Sequence, residues 1–204
     1  VSEQTIPSKT TSSKKLEGKD LINIGIYGAI YCVLMTAMAM IGFIPVLMPL
    51  VCVLIPLVCG IPMVLFMTKI KKPGMLLIMS LILGIYLAVT GMGFWVILIA
   101  AITGFLSELV LKSGNYQSAS KLILAHGVFC MFIWGNFLPM FIDSGYYTNL
   151  LAGGYTQEYV EVLMGIFPMW SAPIYLVACF VFGIIGGFTG KAILKKHFVK
   201  AGIA

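Results

Sequence analysis

The chain has 204 residues, 60% of them hydrophobic and 10% charged, with a formal net charge of +6 and a mean hydropathy of +1.05. An ordinary soluble domain carries about 25% charged residues, so composition excludes a soluble fold and points to one compact membrane domain. All thirteen basic residues are lysine, scattered in short stretches between apolar runs. Without the bidentate fork of arginine this pattern argues against nucleic acid as a partner.

Residues 1–19 are polar and read as a disordered cytosolic tail with no cleavable leader. The membrane domain then occupies 20–204. Its first apolar run, about Leu21 to Met40, doubles as the insertion signal. The second, about Ile44 to Met67, holds Pro45, Pro49, Pro56 and Pro62. Each proline removes a backbone donor and clashes with the preceding turn, which predicts a kinked or partly unwound segment, with a break near a ligand as the sharper expectation. Further runs cover Met75 to Thr90, Phe94 to Leu111, Leu122 to Ile142, and Phe167 to Leu194. At 1.5 Å per residue, about 20 residues cross the hydrocarbon, so six transmembrane helices are expected in an all-α integral membrane fold.

Lysine placement orients them. Lys9, Lys14, Lys15 and Lys19 precede the first run, and Lys69, Lys71 and Lys72 follow the second. Lys112 and Lys121 flank the connection between the fourth and fifth, and Lys191, Lys195, Lys196 and Lys200 close the chain. The other three connections carry none. Six spans therefore put every lysine on one side, which the positive-inside rule makes the cytosol, with both termini there. The longest external connection, about 143–163, is expected to hold a short interfacial helix and to act as a lid.

The chemistry-bearing residues are few. Cys32, Cys52, Cys59, Cys130 and Cys179 each lie in an apolar run and read as small packing residues. The chain contains no GxxxxGK[ST] and no HExxH, and no acid–base constellation is visible, so neither catalysis, a metal nor a cofactor is expected. Glu108 lies four residues before Lys112, which predicts a local ion pair. His126 reads as a packing or hydrogen-bonding residue.

Two helices carry small residues at helical spacing. Gly25 and Ala29 lie on the first; Gly183, Gly186, Gly187 and Gly190 lie on the last. Such faces let another helix approach closely, either inside this protein or as a docking face for a partner. The outer ends of the later runs collect Trp95, Asn136, Met140, Trp170 and Tyr175. Interfacial aromatic belts explain part of this cluster. The amide of Asn136 asks for a partner, and a pocket of aromatics, methionines and one or two polar groups suits a small, largely apolar molecule.

The stretches KDLINIGIYGAIY, FMTKIKKPGM, LKSGNYQS and LKKHFVKAGI are similar to the Trep_Strep family of small bacterial membrane proteins, from about Lys19 to the C-terminus. That family resembles the substrate-binding S components of energy-coupling factor (ECF) transporters. The resemblance implies an S-component-like bundle in the bacterial cell membrane that captures a micronutrient or cofactor precursor outside. It implies delivery through a transmembrane coupling protein and two cytosolic ATPases. It also implies coupling-protein contact through Gly25 and Ala29, where the family of transporters usually has an alanine pair, and a pocket at the outer ends of helices four to six. An autonomous secondary carrier or channel is the alternative. Neither the composition nor the resemblance names the substrate.

Overall fold

A computed structural model of the chain describes residues 15–70, 72–195 and 199. The expected tail lies outside the described residues up to position 14, as do Lys71, Lys196 and Lys200. Every regular element among the described residues is helical. Five helices are long and apolar enough to cross a membrane: Gly18–Phe43, Pro45–Met67, Met75–Met92, Trp95–Ser113 and Met169–Ile193.

Helix α1 (Gly18–Ala39) begins three residues before the first apolar run. Asp20 accepts the backbone N–H of Glu17 at 2.8 Å, satisfying one of the donors that every helix start leaves open. The second segment is broken as its prolines demand. It runs as a 3-10 turn over Pro45–Leu50, then α2 (Val51–Val58) and α3 (Gly60–Met67). Helix α4 (Met75–Leu87) continues through a π turn to Met92, where Gly91 and Gly93 take φ of 98° and 78°. Only glycine adopts such angles without a steric penalty, which explains the tight connection to α5 (Trp95–Ser113).

The segment expected as a single span over Leu122–Ile142 is not one continuous α-helix. It divides into α6 (Ala119–Cys130), a 3-10 stretch over Met131–Asn136, and α7 (Leu138–Ile142). Pro139 supplies no N–H to the carbonyl of Gly135, so the α ladder fails there. Gly135 meanwhile nests against Val96 and Ile99 of α5, where an added Cβ would meet both at 3.1 Å. The long connection folds as two short helices, α8 (Tyr146–Ala152) and α9 (Gln157–Ile166), before α10 (Ala172–Ile193).

Helix α10 packs along α6 and across α2 and α3. Its glycines make this possible. A Cβ on Gly186 would overlap the carbonyl oxygen of Pro56, and one on Gly190 would come within 3.0 Å of the Gly60 carbonyl. Gly183 lies against Gly127 and Cys130, and Gly187 against Ile123. This glycine face is internal packing. Among the described residues, nothing lies within 4 Å of where a Cβ on Gly25 of α1 would stand, and both Gly25 and Ala29 are exposed.

Polar contacts tie the start of α1 to the start of α4, and α4 in turn to the end of α5 and the connection after it. Lys72 Nζ lies 2.8 Å from Glu17 and 2.9 Å from Asp20. The expected Glu108–Lys112 pair does not form. Glu108 instead accepts the Leu76 N–H at the start of α4 at 3.0 Å and the Tyr116 hydroxyl at 2.9 Å. A carboxylate there meets an open helix N-terminus, which is worth more to it than an exposed lysine one turn away. Burial and the nearby Glu108 carboxylate push the Tyr116 hydroxyl well above its ordinary range.

The core is apolar, including the buried Cys52, Cys59, Cys130 and Cys179. All five cysteines are free thiols, as their placement predicted. His126 is fully buried, 3.4 Å from the Pro56 carbonyl and 3.6 Å from the Cys130 sulfur, in the packing role expected of it. The periphery is equally apolar: Ile22, Ile26, Val33, Val89, Phe105, Val177 and Phe188 are all exposed, as lipid contact requires.

Candidate functional site

At the end of the bundle away from the lysines lies a cavity of about 330 Å³, within the size range of small-molecule sites. Four walls and a cap line it. Helix α1 contributes Met35, Thr36 and Ala39, and the turn after it Met40, Gly42 and Phe43. The broken second segment contributes Met48, Val51 and Ile55. The outer end of α4 and its π turn contribute Tyr86, Leu87, Thr90 and Met92. Asn136 and Phe137 enter from the joint between the 3-10 stretch and α7. Tyr155 and Tyr159 reach in from the long connection.

Specific contacts hold α1, α4, the cap and the Phe137 joint in place. Thr36 donates to the Cys32 carbonyl at 2.8 Å, and its hydroxyl lies 2.6 Å from that of Tyr86, joining α1 to α4. Since the single Thr36 hydrogen is used on Cys32, Tyr86 is the donor in that second bond. Tyr159 on α9 donates to the Gly42 carbonyl at 2.8 Å, clasping the cap to the turn after α1. Val160 and Leu163 on the same helix are buried, so α9 is seated on the bundle by an apolar face as well. Burial raises the Tyr159 and Tyr146 hydroxyls above their ordinary range, so both remain protonated donors at neutral pH.

Behind Phe137 stands a stack of rings. Phe137 lies 5.3 Å from Phe167 and 6.2 Å from Tyr175, and Tyr175 donates to the Ile166 carbonyl at 2.9 Å. These contacts fix the Phe137 face that the cavity sees. Trp134 donates its indole N–H to the Ala172 carbonyl at 2.9 Å, holding the interrupted helix against the start of α10. The side-chain oxygen of Asn136 is buried, and among the described residues it has no hydrogen-bond partner.

Of the five residues expected at the site, Asn136 lines the cavity. Tyr175 supports its wall from behind. Met140 is buried outside the lining, and Trp95 is half-buried against Phe94, ring centroids 4.6 Å apart. Trp170 is 71% exposed and stands at the periphery like a membrane-interface residue. The cavity thus draws chiefly on α1, the broken second segment and α4, rather than on the outer ends of the fourth to sixth runs. Sequence reading passed over Thr36 and Tyr86, although each is a hydroxyl near the outer end of an apolar run. The proline-rich break did point here, since Met48, Val51 and Ile55 line the cavity.

An all-helical chain with several helices long and apolar enough to cross a membrane is a polytopic integral membrane protein. More narrowly, the chain belongs to a family described as hypothetical bacterial integral membrane protein (Trep_Strep), whose model matches residues 18–200. It is therefore a multi-pass protein of a bacterial membrane. Neither a curated protein nor a solved structure matches the chain.

Proposed function

We propose that this chain is the substrate-capturing S component of an ECF-type importer, which takes a micronutrient or cofactor precursor from outside and passes it inward through a coupling protein and two ATPases. The observation that carries the reading is the cavity: largely apolar, built from five separate segments, and capped by a clasped helix. In this reading the interrupted stretch from Ala119 to Ile142 completes a sixth crossing. Both chain ends and the lysines then face the cytosol, and the cavity faces outward.

The bare face of α1 supports the same reading. The glycines of α10 are filled by the protein's own helices, whereas Gly25 and Ala29 are exposed and leave backbone open to a partner helix. The test is co-expression with candidate coupling proteins and ATPases, followed by affinity capture and proteoliposome uptake. Gly25→Leu and Ala29→Leu are expected to abolish complex capture and ATP-dependent uptake while leaving the isolated chain folded. Concentrative uptake by the isolated chain, driven by an ion gradient, would overturn this reading in favour of an autonomous carrier.

A further inference from the structure

Five aromatic rings line the cavity: Phe43, Tyr86, Phe137, Tyr155 and Tyr159. The face of such a ring is the negative side of its quadrupole and attracts cations. The hydroxyl groups of the lining lean the same way. Thr36 donates to the Cys32 carbonyl, Tyr86 to Thr36, Thr90 to the Leu87 carbonyl at 2.8 Å, and Tyr159 to the Gly42 carbonyl. Those four hydrogens are committed within the protein, so what these groups can offer a bound molecule is lone pairs. Among the described residues, Tyr155 is the hydroxyl of the lining that keeps a hydrogen to give. The side-chain oxygen of Asn136 is sealed off from the cavity. Met35, Met40, Met48 and Met92 add thioether sulfurs, which are polarizable weak acceptors.

Rings and lone pairs both favour a positive ligand, and the kind of cation follows from what is missing. Among the described residues that line the cavity, none is charged. A compact ammonium or a metal ion holds its water tightly and asks for a carboxylate, which this wall lacks. A charge spread over N-methyl groups is bound by aromatic rings instead. Its approach is favoured too, since the long connection at this end carries Asp143, Glu158 and Glu161, all exposed, and no lysine. We infer that the cavity takes an organic cation of the quaternary-ammonium class, held by the aromatic lining rather than by an ion pair. This rests on the cavity being the binding site of the importer reading, but it needs no coupling protein.

The test uses three water-soluble probes of one shape on the purified full chain in detergent. They are choline, its neutral isostere with a tert-butyl group in place of the trimethylammonium head, and the tert-butylacetate anion. By calorimetry or saturation-transfer NMR, choline is expected to bind about tenfold more tightly than either twin. Phe43 and Tyr155 are exposed at the rim, so Phe43→Leu and Tyr155→Leu should leave the chain folded. Each should weaken choline about three- to tenfold with little change for the neutral isostere, a selective loss that misfolding cannot imitate. Three outcomes overturn the inference: a twin binding as tightly as choline, no binding of choline at millimolar concentration, or ring variants that spare choline or weaken it and its isostere alike. Failure of the importer reading shows separately, as a chain that passes this test yet captures no coupling protein.

Discussion

Asn136 and Gly186 show how much one position can carry in a bundle with so few polar groups. Replacing Asn136 by leucine removes an unpartnered buried oxygen and adds an apolar group of similar size. The ligand-free protein should therefore gain stability, by about 1–3 kcal/mol if the amide bears its full desolvation cost, while ligand binding falls. Opposite signs for melting temperature and affinity are the expected signature, read by thermal melts and titration on the same preparation. Gly186 is the contrasting case. Its missing Cβ lets α10 meet the Pro56 carbonyl directly, so Gly186→Ala forces two backbones apart. It should cost about 1–3 kcal/mol as an overpacking change. Gly25→Ala, with open space around it, should instead hold or raise the melting temperature, since alanine is the better helix former by up to about 1 kcal/mol.

At the scale of elements, the ion cluster joining α1 to the start of α4 has a defined pH behaviour. Hydrogen bonds from Lys72 and then Lys19 hold the Glu17 carboxyl below its ordinary range. The same pairing, with Glu17 first and then Asp20, holds Lys72 above its own. A lowered carboxylate contributes stability that is complete above its unfolded value and is lost as pH falls through its folded one. A raised lysine contributes stability that is complete below its unfolded value and is lost as pH rises through its folded one. The cluster's own contribution, read as the difference in melting temperature between wild type and Lys72→Met, should therefore stay level between roughly pH 5 and pH 10 and shrink outside that window. The cap is the second element with a measurable role. Tyr159→Phe removes the clasp to Gly42 while keeping the ring, and should speed ligand release severalfold with little change in stability, as stopped-flow fluorescence would show.

The elements were legible in the sequence to different degrees, for physical reasons. Apolar runs of about twenty residues between lysines can only be membrane helices, so α1, α4, α5 and α10 were readable from length alone. Four prolines announced the broken second segment. One proline in the fifth run, Pro139, was not enough of a signal, because the break also needs Gly135 packed against α5. The site was less legible. Asn136 stood out because an amide in hydrocarbon is conspicuous anywhere, and it lines the cavity. Trp95 and Trp170 lie outside the lining of this cavity, since large rings at helix ends serve the membrane interface as readily as a pocket. Thr36 and Tyr86 were missed because each is unremarkable alone, and only their 2.6 Å approach across fifty residues makes them a joint.

For the whole molecule, the orientation is the property to test first. Cysteine-accessibility labelling of intact cells at Ser113, beside the lysine end, and at Thr148, in the long connection, should report opposite faces of the membrane. Labelling of both from one side would remove the outward-facing cavity and the importer reading together.

The backbone contacts of α10 divide the bundle into parts of unequal compliance. Helices α2, α3, α6 and α10 meet glycine against carbonyl or glycine against glycine, where nothing can rotate out of the way. Helix α1 touches its neighbours least of the five long helices, and Gly28 meets the flexible end of Met79 rather than backbone. A molecule forced into the cavity thus presses on a stiff wall and a soft one, and the soft one yields. Filling the cavity is felt on α1, on the helix whose far face lies bare. Hydrogen exchange should show it directly: amides of α10 stay slow throughout, while those at the outer end of α1 slow when the cavity fills.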